Sequence, residues 1–599
     1  MIGLPPAFLF LIGLLLVPIL KGAARKCWTV LLGAAGLLMV VLIGSGSPDL
    51  VVAIIPGIET ILLTTDPMRQ LAGIIFATAG FLVIIYAAYR DLPRIETIGI
   101  LASVAAALGI VYAGDLITVF VFWELLALAS LSIIWSSKDP ESSGAGYRYL
   151  LFHIFGGACL LGGIVYTIAT TGTAAIGAAG EGMGFLLLFI GIGVNAAFIP
   201  LHTWVPDAYP RASVVGSVAL CIFTTKAAVF LLAAIGGWGV AIAYMGGAMA
   251  LYGAVYALMQ DDIRRLLSYS IISQCGYMVA AIGVGTVAGI DAGLAHLVND
   301  ILFKSLLFMA AGAVILRTGS SHLFELGGLA RTMPKTTVCA VIGGLALAGV
   351  PGLNGAVSKG MVIEAAGAVP YLAPLLIISA VITVIYVVRL LYLGFFRPVS
   401  GTKEGRLPED APSLMMIAMA ATALLCIVIG LNPTLLTSLL PGMTAAHPFA
   451  TSHLLESAMI FIGAGVLLLI IRPLRKPWHG FERDIDSLYV RAGRLVAWIA
   501  KNPLVHGADL IGACLQRFVS ALRTIASNPP VACQIAFRSI ALPFVRAFSD
   551  PSKTRAYEDR LSHMRNQYPD EQISIWGGGY GIIFISIIAF LYFLFDLIK

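Results

Sequence analysis

Residues 296–316 read HLVNDILFKSLLFMAAGAVIL, a membrane-length apolar run that carries His296, Asp300 and Lys304 at intervals of four. On an α-helix this spacing places the three side chains one turn apart on one face. A charged side chain in hydrocarbon costs at least about 2.5–3.5 kcal/mol, so spanning helices rarely keep one without a use. Three titratable groups on one stripe therefore indicate a segment of a proton path.

The composition is that of an integral membrane protein. Of 599 residues, 59% are hydrophobic and 11% are charged, and the mean hydropathy is +0.95, which excludes a soluble globular protein. Because the apolar runs do not alternate with polar residues, they predict an all-α chain in the cell inner (plasma) membrane. The net charge of +6 is modest and lies in loops, so no nucleic-acid partner is expected.

The sequence offers no motif for a cofactor or a metal. The eight cysteines are scattered singly, without a CxxC pair or a Cys/His cluster, so an iron–sulfur or zinc site is not expected. Phosphate-binding loops of the GxGxxG or Walker type are also missing. We therefore predict no redox centre in this chain, and any redox cofactor would belong to another subunit.

About 14–16 transmembrane helices are predicted from the apolar runs. Two places carry helix breakers: VPGLNG at 350–355 interrupts one run, and Pro200, Pro206 and Pro210 follow another. The predicted spans are 3–20, 28–44, 70–88, 95–113, 116–135, 149–169, 183–200, 213–235, 237–257, 266–288, 292–316, 336–368, 372–394, 411–430, 452–471 and 576–598.

The charges of the loops predict the orientation in the membrane. Lysine and arginine occur in every second loop, whereas the alternate loops (45–66, 114–115, 170–182, 289–291 and 431–450) contain neither. By the positive-inside rule this places the N-terminus outside and the basic loops in the cytoplasm. Lys21 follows the first apolar run instead of preceding it, so we expect that run to be a retained helix and not a cleaved signal peptide.

The region 475–570 has a different pattern, with apolar residues at spacings of three and four and arginines on the opposite face. This predicts basic amphipathic helices, interrupted at Asn502-Pro503 and Asn528-Pro529-Pro530, that lie along the membrane or across neighbouring subunits as a lateral arm. A small cytoplasmic helical domain is the alternative. The predicted division is 1–113 (N-terminal transmembrane helices), 114–395 (core), 396–474 (C-terminal core helices), 475–570 (lateral arm) and 571–599 (terminal transmembrane helix).

Four single charges lie inside predicted spans: Glu124, Lys226, Lys304 and Lys359. Each of them could serve a structural role, paired across helices or reaching towards the interface. As a set they suggest more, because a Glu–Lys pair can release or capture a proton when one partner moves. His202 lies in the proline-rich break, where we expect a hydrogen-bonding role and not transport.

Several motifs occur in an order that resembles one known family. They are WEL at 123–125, PLHTWVPDAYP at 200–210, the Lys226 helix, DDIRRLLSYS at 261–270, HLVNDILFKSLLF at 296–308 and VPGLNG followed by Ser358-Lys359. The chain is similar to the antiporter-like membrane subunits shared by respiratory complex I, membrane-bound hydrogenases and Mrp cation/proton antiporters. The resemblance covers most of residues 66–395.

The resemblance implies a fold with two inverted-topology helix repeats and broken helices, and a role for each residue. Glu124 and Lys226 would be the charged pair of one half-channel, Lys304 the central proton carrier fed by His296, and Lys359 the exit-side residue. Many members have a second histidine where this chain has Asp300. A carboxylate there either carries protons, favours Na⁺ at some stage, or simply pairs with Lys304.

Two functions are therefore expected for a proton-translocating subunit that works with other membrane subunits. One is Na⁺/H⁺ antiport in an Mrp-type complex, whose D subunit the core resembles slightly more than it resembles other members. The other is a pump module of a redox enzyme, a quinone-reducing dehydrogenase or a membrane-bound hydrogenase, which the arm and terminal helix resemble. A scaffold without transport is disfavoured because all the key charges are present.

Overall fold

The computed structural model describes residues 4–568 apart from 45, 48, 56–57, 138, 178–181, 399–407, 472–483 and 528. The chain forms two compact units, Met1–Ile485 and Asp486–Lys599. The predicted terminal helix 576–598 lies outside the described residues. Twelve helices in the described part are long and apolar enough to cross a membrane, and the all-α membrane fold class is confirmed.

The first unit is built almost entirely of helices. They are α1 (Pro6–Leu14), α2 (Gly22–Ile43), α3 (Pro67–Ala87), α4 (Arg94–Tyr112), α5 (Leu116–Trp135), α6 (Ser142–Thr171), α7 (Met183–Asn195), α8 (Trp204–Arg211), α9 (Val214–Ile235), α10 (Val240–Leu258), α11 (Ile263–Gly283), α12 (Val287–Thr318), α13 (Leu329–Thr332), α14 (Pro334–Ala348), α15 (Asn354–Ala366), α16 (Leu372–Leu391), α17 (Ser413–Leu431), α18 (Thr434–Thr437) and α19 (Thr451–Ile471). A short π-helix, Tyr392–Phe396, continues α16.

Three predicted spans differ from the structure. In the run 183–200, helix α7 has only 13 residues and ends at Asn195. The run 3–20 contains a helix of only nine residues, α1, followed by turns at residues 15–19 that include Pro18. The run 336–368 is divided into α14 and α15, because Gly349 adopts a left-handed conformation (φ 84°) and Pro351 has no backbone N–H to continue the helix. The full-length spans are therefore fewer than the apolar runs suggest.

A β-hairpin, which the sequence analysis placed in a loop, connects α2 to α3. Its strands are β1 (Leu50–Ile55) and β2 (Ile58–Leu63), paired antiparallel with two irregularities in register. The backbone N–H of Ile61 donates a hydrogen bond to the Asp115 carboxylate over 2.6 Å. The hairpin is thereby tied to the start of α5.

Two stretches of the first unit begin alike, which agrees with a repeat. The Asp115 carboxylate caps α5, and the Asp262 carboxylate caps α11, each by accepting hydrogen bonds from two backbone N–H groups of the first turn. Each aspartate also forms an isolated β-bridge to the segment that follows the next helix, Asp115 with Ala175 and Asp262 with His322. Residues 114–115 lie in a loop without basic residues and Asp262 lies in a basic one, so the predicted orientations of the two stretches are opposite.

Both stretches contain a broken helix. In the first, α7 ends at Asn195 and the chain turns through residues 196–203 before α8 and α9. In the second, residues 349–353 separate α14 from α15. Backbone groups that lose their helical hydrogen bonds at such breaks need other partners inside a membrane protein. At the second break, the Leu347 carbonyl accepts a hydrogen bond from Lys359.

The second unit is also helical in its described part. Its helices are α20 (Asp486–Ile499), α21 (Val505–Ser527), α22 (Pro529–Phe548) and α23 (Pro551–Asn566), with a π-helix at Ala500–Leu504. The π-helix separates α20 from α21, while α21 ends at Ser527 and α22 begins at Pro529, so these boundaries fall at the two proline-containing positions noted in the sequence. The apolar residues Leu510, Leu515 and Phe518 are exposed on α21.

Candidate functional site

Five of the six predicted site residues are buried where four helices of the first unit meet. Lys226 lies on α9, His296, Asp300 and Lys304 on α12, and Lys359 on α15, and none of these residues is more than 5% exposed. Helix α11 lies beside them and supplies polar partners. None of these five side chains is therefore exposed on the surface of the first unit.

Lys226 and Asp300 form an ion pair between α9 and α12. The Lys226 Nζ is 3.0 Å from Asp300 Oδ2, and both side chains are fully buried. The pairing differs from the expectation of Glu124 with Lys226, and also from that of Asp300 with Lys304, because α9 presents its ammonium to the Asp300 face of α12. Asp300 is thus the counter-ion of a lysine on another helix.

Lys304 lies one turn beyond Asp300 on α12 and points to α11. Its Nζ donates a hydrogen bond to the Ser270 hydroxyl, and the residue is fully buried. Within 4 Å of its ammonium, no carboxylate is found among the described residues. A buried ammonium held by a neutral hydroxyl is poorly compensated, so this position favours a lysine that exchanges its proton.

His296 connects α11 with α15. One ring nitrogen, Nδ1, is 3.0 Å from the Ser358 hydroxyl, and the other, Nε2, is 3.2 Å from the Gln274 side-chain oxygen. A neutral imidazole has one donor and one acceptor, so both contacts can be satisfied in one tautomer. Ser358 directly precedes Lys359, which brings the histidine next to the last lysine of the group.

Lys359 forms a hydrogen bond with a backbone carbonyl that has no helical partner at the break. Its Nζ donates a hydrogen bond to Leu347 O over 2.6 Å. In a continuous helix this carbonyl would accept from the N–H of residue 351, but Pro351 has none. The negative end of the α14 dipole also favours a cation there. The same ammonium lies 5.4 Å from the centre of the Tyr277 ring.

Two asparagines fix α12 against the second break. The Asn299 side-chain amide donates to Asn354 O over 2.8 Å, and the Asn354 amide donates to the Asn299 side-chain oxygen over 3.1 Å. Asn354 is the first residue of α15. The start of the helix that carries Lys359 is thereby held at the centre of α12.

Glu124 lies apart from this group. It is half-buried on α5, and its carboxylate tip faces Gly157 of α6, where an added Cβ would lie 2.2 Å from Oε1. Among the described residues Oε1 has no hydrogen-bond partner and no lysine is within salt-bridge distance of the carboxylate. The Glu124–Lys226 pair that the resemblance implies is therefore not formed in this structure.

A second buried polar cluster surrounds His202 in the first break. The His202 Nε2 is 3.4 Å from Asp484 Oδ2, and the Tyr252 and Tyr269 hydroxyls donate to the same carboxylate. Burial raises the pKa of the Asp484 carboxyl, but its contacts with His202 and the two hydroxyls outweigh this effect and lower the pKa to about 2. The cluster holds residue 484, two positions before α20, against α10 and α11.

Sequence reasoning missed the neutral partners of the site: Ser270, Gln274, Tyr277 and Ser358. Polar residues recurring on α11, a helix whose spanning window is wholly buried, were the available signal. Asp484 gave no signal, because it lies in the region predicted as the lateral arm, two positions before α20. In the part of the chain that the structure describes, no group of three His, Cys, Asp or Glu side chains could hold a metal.

Similarity to known proteins covers the segment that contains this site. The model of the family described as NADH:quinone oxidoreductase/Mrp antiporter, transmembrane, matches residues 113–385, which contain all six predicted site residues. An uncharacterized protein of Methanocaldococcus jannaschii is 32% identical over 361 residues, which are 57% of this chain and 74% of that protein.

Two further comparisons involve an antiporter subunit and an Mrp complex. The A subunit of the Na(+)/H(+) antiporter of Alkalihalophilus pseudofirmus is 27% identical over 495 residues, covering 73% of this chain and 59% of that protein. This relative is an A subunit, whereas the motifs of the core resemble a D subunit slightly more than other members of the family. A chain of the Mrp complex from Dietzia sp. superposes with a TM-score of 0.71 at 25% identity, over 90% of this chain and 65% of that one.

The matched segment holds the buried lysines, the two breaks and the capping aspartates, and the M. jannaschii relative is matched over about three quarters of its length. The chain belongs to the NADH:quinone oxidoreductase/Mrp antiporter transmembrane family.

Proposed function

We propose that this chain is an ion-translocating subunit of a multisubunit membrane complex. It moves protons along the buried row Lys226–Asp300, Lys304, His296 and Lys359. The observation that supports this proposal is the row itself, because five titratable side chains on three packed helices are buried together in a membrane protein. Such groups are unfavourable in a membrane and mark ion and proton pathways.

Each member of the row has a part in the proposed transfer. The Asp300 carboxylate stabilises the protonated Lys226, so any change that neutralises Asp300 or draws it away releases that proton. Lys304, one turn from Asp300, receives a proton while its Ser270 partner accepts the hydrogen bond. His296 carries it between Gln274 and Ser358 towards Lys359.

Glu124 is proposed as an alternative partner of Lys226 in a second state of the transport cycle. In this structure the two are unpaired, and the Lys226 ammonium is held by Asp300. A lysine that alternates between two carboxylates changes its proton affinity as it moves, and this alternation would couple proton release to a conformational step.

The similarity to the A subunit of a Na(+)/H(+) antiporter supports cation/proton antiport as the form of this activity. Other membrane subunits are the proposed partners, since the Mrp complex chain to which this one is similar belongs to such an assembly. The described helices α20–α22 carry exposed apolar residues, which supports the lateral arm as a strap on neighbouring subunits.

The test is proton movement in membrane vesicles that contain the native complex, followed with a pH-sensitive dye. Lys304→Ala should abolish proton movement while the complex stays assembled on a native gel. Ser305→Ala is the matched control, because the Ser305 hydroxyl only donates to Leu302 O of its own helix and lies outside the row.

Normal proton movement in an assembled Lys304→Ala complex would refute the proposed function. Loss of transport in Ser305→Ala to the same degree would show that any disturbance of α12 stops transport, and would also contradict a specific role for the lysine.

A further inference from the structure

A small cavity continues the buried row beyond Lys359. It has a volume of about 30 Å³ and is lined by Lys359 together with His453, Glu456 and Ser457, the last three on α19. A cavity needs roughly 10–15 Å³ to hold a water molecule and a water needs polar partners, and this cavity satisfies both conditions. The lysine ammonium and the polar residues of α19 can therefore be bridged by water.

His453 lies between two carboxylates at the far side of this cavity. Its Nε2 is 3.8 Å from the Glu364 carboxylate and its Nδ1 is 3.8 Å from the Glu456 carboxylate. The His453 and Glu456 side chains are 20% and 21% exposed, whereas Glu364 is 73% exposed. His453, which lines the cavity, therefore lies next to an exposed carboxylate at the surface.

The backbone next to Lys359 leaves room for this histidine. Gly360 lies directly under the ring, and an added Cβ there would be 3.3 Å from His453 Nδ1. A larger residue here would require the imidazole to shift by a few tenths of an ångström. The glycine therefore allows the histidine ring to lie close to the lysine that precedes it.

The position of these residues along their helices fits an opening at a membrane surface. His453 and Glu456 lie within the first two turns of α19, and Glu364 lies in the last turn of α15. The loops at these two helix ends, residues 432–450 and 367–371, contain no lysine or arginine. By the positive-inside rule this is the side of the membrane opposite the basic loops.

We propose that His453, assisted by Glu456, takes protons from Lys359 through the cavity and passes them to Glu364 at the non-cytoplasmic surface. The proposal rests on the proposed function and names the outer end of the same path. Protons pass from the Lys359 ammonium to the imidazole and from the imidazole to a carboxylate or water, so no other reactant is needed. All three residues lie outside the buried row, and His453 and Glu456 also lie beyond the segment that the family model matches.

The experiment compares proton movement in vesicles that contain the full complex. His453→Gln keeps a polar side chain of similar length but cannot be protonated, so it should slow transport about tenfold or more, in line with the loss of a positioned proton-transfer group. Glu456→Gln should slow transport by a smaller factor. His447→Ala is the matched control, since this exposed histidine precedes α19 and does not line the cavity.

Rescue separates a proton carrier from a structural residue. In His453→Ala the space of the ring is free, and added imidazole should restore part of the lost transport in this variant but not in Lys304→Ala. Undiminished transport in His453→Gln, or a loss in His453→Ala that imidazole does not restore, would overturn the proposed outlet. If Lys304→Ala transports normally, the proposed function itself fails, whatever the His453 variants show.

Discussion

The Lys226–Asp300 ion pair allows a sharp test of how the site is held together. Replacing Asp300 by leucine would leave the Lys226 ammonium without its partner at a fully buried position. Removing one partner of a buried pair typically costs about 3–5 kcal/mol. A second estimate of this cost comes from the proton affinity of lysine: keeping an ordinary lysine neutral in the folded protein at pH 7 costs about 5 kcal/mol.

The expected loss in the free energy of unfolding is therefore about 3–5 kcal/mol for Asp300→Leu, with a comparable loss for Lys226→Met. The double variant should recover most of it, because an apolar pair of similar volume replaces a buried ion pair at little or no cost. The measurement is denaturation of the detergent-purified complex for wild type, both single variants and the double variant. The double-mutant cycle then gives the coupling energy.

The pH dependence provides a second readout. In Asp300→Leu, folding would expel a proton from the lysine, so the stability of this variant should rise with pH between about 7 and 10 relative to wild type. A coupling energy below about 1 kcal/mol, the value typical of an exposed pair, would refute the assignment of Lys226 and Asp300 as a buried ion pair.

Three more outcomes are expected. Gly157→Ala should lower proton transport, because the new Cβ displaces the Glu124 carboxylate. Its stability should be unchanged or higher, because alanine favours a helix. Gly162→Ala is the control and should transport normally, because its Cβ would make only an ordinary 3.5 Å contact. Asp484→Asn should lower the free energy of unfolding by about 2 kcal/mol near pH 6. Wild type keeps this contribution above about pH 4 and loses it as the pH falls through the lowered pKa of about 2. Thermal unfolding of both proteins at a series of pH values measures the difference. Deleting residues 480–550 should release neighbouring subunits on a native gel, and an intact, active complex would contradict the strap.

Much of this architecture follows from patterns along the chain. The spacing of His296, Asp300 and Lys304 correctly placed three buried polar groups on one helix, and VPGLNG correctly predicted a break. Both patterns are local, since they depend on the periodicity of one helix or on the missing N–H of one proline.

The partners could not be predicted in the same way. One stripe of α12 faces three different neighbours: Asp300 meets α9, Lys304 meets α11, and His296 contacts α11 and α15. The spacing within a helix says nothing about which neighbouring helix lies opposite each turn. Asp484 illustrates the same limit, since only packing brings this residue to His202, far earlier in the chain.

The most direct test of a proton path through the buried row uses the double variant Lys226→Met/Asp300→Leu. It removes two titratable groups but leaves an apolar pair that should keep the complex assembled and as stable as wild type, so structural damage and loss of transport are separated. Proton movement in vesicles should then be lost in a fully assembled complex. Proton movement at the wild-type rate would contradict a path that passes through this pair.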